Sequence, residues 1–215
     1  MAAKTATSTV PIVFNLGADP IQLGLVANLN RTGGNITGIG MMTLEIERKR
    51  LELLHELAPG SSSIAILLNP SNAQSQAQET EAHVAARVLG RQILVLKAST
   101  EDENERAFAA LARERAGALL VGGDTFFTSQ VTLFVVLTAH YSIPTIYPFK
   151  SYVEAGGLMS YGSSLLDAYR QTGVYAGRVL KGEKPADLPL LFWCLAPFSI
   201  HPAEVDLSAA GLRAG

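Results

Sequence analysis

The chain has 215 residues, of which 48% are hydrophobic and 17% charged, and its net charge is −2. Such a balance excludes a disordered chain, and the lack of a basic run argues against a nucleic-acid surface. The one cysteine, Cys194, excludes an internal disulfide and a cysteine-based zinc site.

The opening residues, Met1 to Thr9, have no apolar core of signal-peptide length, and no stretch reaches the ~20 apolar residues of a membrane helix. As written, the product is expected to be cytoplasmic and not membrane-spanning. Val10 to Phe14 reads as a buried strand entered through Pro11, followed by the loop Asn15 to Pro20. A short helix is expected over Ile21 to Leu29, then a turn at Arg31–Asn35 and a strand at Ile36–Ile39. Thr43 is placed to cap a helix carrying Leu44, Leu51, Leu54 and Leu57, with Glu45 and Glu47 near its positive end and Pro59-Gly60 closing it.

Ile64–Leu68 then runs as an apolar strand into Asn69-Pro70-Ser71-Asn72. The next helix is expected from about Ser71 to Leu89, with Ala77, Val84, Ala85 and Val88 as its apolar stripe and Gly90 at its C-cap. A strand at Ile93–Leu96 precedes a capping box of Thr100 with Glu103 and a helix burying Phe108 and Leu111. Ala118–Val121 runs as a strand into Gly122-Gly123-Asp124-Thr125. A very apolar helix is expected over Ser129–His140, then strands at Pro144–Tyr147 and Leu158–Tyr161. Ser164 is placed to cap a last helix to Leu180, closed by Gly182. From Leu188 to Ala203 there is no Asp, Glu, Lys or Arg and no clear periodicity, and residues 191–215 are expected not to pack on a sheet.

Strand, polar loop and helix recur throughout, the pattern of a parallel α/β sheet. Ligands of such sheets bind outside the carboxyl ends of the strands, so the loops after the strands hold the candidate site. Asp124 follows a strand behind Gly122 and Gly123, where a backbone without side chains lets a ligand approach. Its carboxylate could pair with an ammonium group or cap the following helix. Asn69, Ser71, Asn72 and Ser75 could hold a carboxylate or simply build turns, and Gly123 and Thr125 join Asp124 as ligand-contact candidates. Gly17 and Asp19 are the candidates of the loop after the first strand, and Tyr147, Phe149 and Tyr161 are either aromatic walls or core. His55, His83, His140 and His201 share no metal-ligand spacing, and no Gly-rich phosphate loop or Gly-x-Ser-x-Gly elbow is present. No metal or cofactor is expected.

Several ordered segments carry a resemblance. They include Val10-Pro11-Ile12-Val13-Phe14 through Asp19-Pro20, then Leu23 through Gly38, and Lys49-Arg50-Leu51-Glu52-Leu53-Leu54. Further on come Ala116-Gly117-Ala118-Leu119-Leu120-Val121, Gly156 through Gly162, Asp167-Ala168-Tyr169-Arg170-Gln171 and Leu180 through Ala186. From about residue 1 to 190 the chain resembles a family of bacterial ABC-transporter substrate-binding proteins. The resemblance implies an α/β fold of Rossmann-like parallel sheets, the periplasmic-binding-protein type I architecture, with one complete and one partial lobe. It implies residues 1–38 as a partial amino-terminal lobe, 39–157 as the complete lobe, 158–190 as the return, and 191–215 as an atypical tail. Chain crossings are expected near Ile36–Met41 and Gly156–Gly162.

The implied function is non-enzymatic. A small solute, amino-acid-like and aromatic in some relatives, is captured in an interlobe cleft and delivered to a membrane permease in the periplasm. One alternative is the ligand-sensing domain of a transcription regulator, which would need a DNA-binding module not read in these residues. Another is a doubly wound enzyme using Asp124 as a catalytic or phosphoacceptor carboxylate, for which no partner base, metal cluster or phosphate loop is found.

Overall fold

The computed structural model describes residues 2–17, 19–21, 23–28, 32–41, 44–61, 63–193 and 198–201, with backbone alone at 44–45 and 192–193. The chain divides into two compact units. One comprises Met1–Thr43 and Ser163–Ala196, the other Leu44–Gly162 and Pro197–Gly215. The chain therefore passes between units at 43/44, 162/163 and 196/197, the first two just after the segments where crossings are expected.

The second unit is built on strands β3 (Ser63–Leu68), β4 (Gln92–Lys97), β5 (Ala118–Val121), β6 (Thr145–Tyr147), β7 (Met159–Tyr161) and β9 (Phe198–Ile200). Their spatial order is β4-β3-β5-β6-β7-β9, all parallel except β9, which runs antiparallel to β7. Both faces of this sheet are covered, which is why β3 and β5 are continuous apolar runs. Successive residues serve opposite faces. Ile64, Ile66, Leu68, Ala118 and Leu120 pack with Leu51 and Leu54 of α2 (Leu44–Leu57) and Ala82 and Ala85 of α3 (Ser75–Val88). Ala65, Leu67, Leu119 and Val121 pack with Phe108 and Leu111 of α4 (Glu101–Arg113), Phe127 of α5 (Thr125–Ser129), Phe134 of α6 (Val131–His140) and Tyr152 of α7 (Lys150–Glu154).

The first unit has a three-stranded parallel sheet in the order β1-β2-β8, from Ile12–Leu16, Ile36–Met41 and Leu191–Trp193. Helix α8 (Leu165–Leu180) lies against it, and Ala168 and Tyr175 join Ile39 and Leu188 in its core. A short helix α1 (Ala2–Ala6) opens the chain.

Several local expectations shift. The first strand begins at Ile12 and is half-buried throughout, while Val10 is 60% exposed. Ile21–Leu29 holds no helix among its described residues. Turns run there instead, closed by Gly24 N–H to Ile21 O and Leu25 N–H to Pro20 O, and Gly24 at a φ of 65° ends any helical path. Helix α3 starts at Ser75, because the Asn69 and Asn72 side chains fold residues 69–74 into turns. Its buried residues are Ser75, Gln78, Ala82, Ala85 and Ala86, whereas Val84 and Val88 are 45% and 83% exposed. Close packing against α2 and the sheet selects the small alanines over the valines.

The helix expected over 129–140 is α6, Val131–His140, and a separate short helix before it, α5, Thr125–Ser129, meets it at Gln130. Thr43 lies outside the described residues, as does Cys194. Beyond Leu190 the expectation of an unpacked end is not met at the described residues. Leu191–Trp193 pairs with Ile39–Met41, and Phe198–Ile200 pairs with Met159–Tyr161.

Candidate functional site

At the carboxyl ends of β3 and β5, three side chains meet. Asp124 is the N-cap of α5, its Oδ1 accepting from Phe126 N at 2.9 Å and Phe127 N at 3.4 Å. The same Oδ1 accepts from Asn69 Nδ2 at 2.9 Å, and Oδ2 accepts from Asn72 Nδ2 at 2.9 Å. Each amide is held at its other end: Asn69 Oδ1 accepts from Ser71 N, and Asn72 Oδ1 accepts from Gln74 N, both at 2.9 Å. Those backbone bonds fix which end of each amide faces the carboxylate. Asn72 Nδ2 also reaches Gly123 O at 3.2 Å. The loops after β3 and β5 are thereby tied into one rigid polar edge, in which the helix-capping reading of Asp124 is the observed one.

The other predicted residues are placed as follows. Ser71 and Thr125 are exposed, and Ser75 is buried at the start of α3 with its N–H on Asn72 O. Phe149 is half-buried against the core on the face of α4 to α7, and Tyr161 against the core on the face of α2 and α3. Tyr147 is fully buried, stacked on Tyr152 with centroids 4.6 Å apart and bonded through its hydroxyl to Thr138 Oγ1 at 2.6 Å. It is a core residue and not an aromatic wall, and burial pushes its hydroxyl up to about 12. In the first unit, Asp19 Oδ1 accepts from Ile21 N at 2.8 Å, a local turn. Asn15, near the end of β1, buries both amide atoms without a hydrogen-bond partner, a costly arrangement for an amide.

A second feature, on α2 and at the ends of β6 and β7, was not anticipated from the sequence. Glu47 and Arg50, one turn apart on α2, are 0% and 3% exposed, with Arg50 Nη1 3.7 Å from Glu47 Oε2. Gln78 Nε2 donates to Glu47 Oε2 at 3.4 Å, and Glu47 Oε1 has no hydrogen-bond partner. Burial pushes the Glu47 carboxyl up to about 7, with Arg50 and Gln78 opposing only in part. Burial also lowers the Arg50 guanidinium against the pull of Glu47. Helical spacing held a signal: Glu47 falls three residues after Leu44 and four before Leu51, on the apolar stripe itself.

A groove of about 410 Å³ is lined by Glu101, Thr128–Gln130 and Val131–Leu133, and includes none of the predicted site residues. Among the described residues no group of His, Cys, Asp and Glu is arranged to hold a metal ion, and no helix is long and apolar enough to cross a membrane.

Comparison with known proteins agrees with this architecture. A curated tyrosine-binding protein of Clostridioides difficile is 29% identical over 189 residues, 88% of this chain and 54% of the relative. The chain thus spans about half the length of that relative. A structure from Streptococcus pneumonia, solved in complex with L-Trp, is 26% identical with a TM-score of 0.79, over 96% of this chain and 68% of that one. A conserved domain protein from Vibrio cholerae gives 26% identity and a TM-score of 0.80, over 93% of this chain and 66% of that one. A LacI-family regulator from Corynebacterium glutamicum, at 13% identity and a TM-score of 0.60 over 93% of this chain and 74% of that one, shares the fold alone. The neighbours have the type I periplasmic-binding-protein fold. A family model described as ABC transporter substrate binding protein matches residues 1–193, and the chain belongs to that family.

Proposed function

We propose that the protein binds an aromatic amino acid and presents it to an ABC permease outside the cytoplasm. The observation that carries the reading is the Asn69–Asn72–Asp124 edge. Its carboxylate is held in place from three sides before any ligand arrives, and preorganisation of this kind lowers the cost of binding. The amino-acid class is supported by the tyrosine-binding relative and by the relative solved with L-Trp. In this reading the ligand ammonium takes the remaining acceptor capacity of Asp124 Oδ2, while Phe149, just past the carboxyl end of β6, and Tyr161, at that of β7, supply half-exposed aromatic surface. The family is one of substrate-binding proteins and not an enzyme class.

The test is titration calorimetry with L-tyrosine, L-tryptophan, L-phenylalanine and a panel of non-aromatic amino acids. Binding confined to the aromatic members, weakened at least about tenfold in Asp124→Asn, is the expected result, since the substitution removes the charge and leaves a helix-capping oxygen. Absence of binding to every amino acid, or unchanged affinity in the variant, refutes the reading.

A further inference from the structure

The buried pair Glu47–Arg50 has a position in the chain that a packing role does not require. Leu44 is the first residue of the second unit, so Glu47 and Arg50 lie on the first two turns after the chain enters it. Gly162 is the last residue before the chain first leaves it. Arg50 Nε donates to Tyr161 O at 2.6 Å, and Arg50 Nη2 donates to Pro148 O at 3.3 Å. A Cβ on Gly162 would lie 1.9 Å from Pro148 O and 2.9 Å from Arg50 Nη2, so the main chain at 162 rests directly on this contact. One guanidinium thus fastens the entering helix, the end of β6 and the leaving end of β7.

Charges are costly to bury, and an apolar pair of similar volume often stabilises as well or better. Arginine is distinguished here by its planar fork, which reaches two carbonyls at once while facing a carboxylate. Hinges are typically a few residues at element ends that absorb backbone rotation. The groups around the pair are Gln78 from α3 and the Tyr161 and Pro148 carbonyls from the strand ends. Gln78 also approaches the Gly122-Gly123 loop that precedes Asp124: a Cβ on Gly122 would lie 3.5 Å from its Oε1.

We propose that Arg50, balanced by Glu47, is a positioning residue that holds together the segments by which the chain enters and leaves the second unit, and thereby governs solute affinity without touching the solute. The affinity clause rests on the solute-binding reading above; the positioning clause does not.

Three versions of the full chain test it: the unaltered protein, Arg50→Lys, and Glu47→Gln combined with Arg50→Met, which removes both charges and leaves neither orphaned. Amide exchange at Tyr161, Gly162 and Ser163, thermal midpoint, and L-tyrosine affinity are measured on each. In the double variant we expect exchange at these amides about tenfold faster and an L-tyrosine Kd about tenfold higher, with the midpoint little changed. Lysine, which cannot fork, should fall between the two. Unchanged exchange in both variants overturns the proposal, as does faster exchange with unchanged affinity. Weaker binding with unchanged exchange also overturns it, since Arg50 would then act on the solute directly. If the unaltered protein does not bind L-tyrosine, the solute reading fails on that arm, and the exchange rates decide the positioning role by themselves.

Discussion

Replacing Glu47 by glutamine should change how stability depends on pH. Glu47 is wholly buried, and its carboxyl is raised from an ordinary value of 4.5 to about 7. Between those pH values the unfolded chain has released the Glu47 proton while the folded chain still holds it. The folded state therefore binds more protons, and stability falls as pH rises through the window, levelling off above about 7. The span from 4.5 to about 7, at about 1.4 kcal/mol per pH unit, amounts to about 3 kcal/mol. Glutamine does not titrate and resembles the protonated acid, which already faces Arg50 at low pH. Relative to the unaltered protein, Glu47→Gln should gain about 3 kcal/mol between pH 4 and pH 8. Glu103 and Glu183, whose hydrogen bonds to Ser99 and to Arg178 lower their pKa values, titrate alike in both proteins and cancel from the difference. Urea unfolding followed by circular dichroism at five pH values measures it, with unchanged m-values as the check on two-state comparison. A free-energy difference between the two proteins that does not vary with pH would refute the assignment. A variant that loses ground as pH rises would show that the Glu47–Arg50 attraction outweighs the cost of burying it.

Further outcomes follow from single contacts. Gly162→Ala drives a methyl to within 1.9 Å of the Pro148 carbonyl, and the forced backbone shift should lower stability by about 1–3 kcal/mol in a chemical melt. Phe134→Ala empties a fully buried site ringed by Phe108 and Phe127 and should cost about 3–5 kcal/mol. Val88→Lys, on the exposed side of α3, should stay within about 0.5 kcal/mol, and a larger loss would contradict the placement of that face. Ending the chain after Leu190 removes the strands paired with β2 and β7, so the thermal midpoint should fall clearly; an unchanged midpoint would show that these pairings contribute nothing.

The alternation of strand, polar loop and helix is legible in the residues alone, because burial on both sheet faces writes continuous apolar runs and helix contacts write a 3.6-residue period. So are Thr100, Ser164 and Gly182, whose capping roles depend on residues only a few positions away. The strand-end loops carrying Asn69, Asn72 and Asp124 were legible for the same reason. What those residues do together depends on contacts made across the fold. Asp124 receives amides from residues 55 and 52 positions earlier, a pairing without local periodicity. The tertiary structure likewise turned Tyr147 into core, sent Val84 and Val88 to the surface, and drew Glu47 and Arg50 inside. Propensity and pattern describe a residue's own element. The fate of a polar or aromatic side chain is fixed by which distant backbone and side-chain groups arrive beside it.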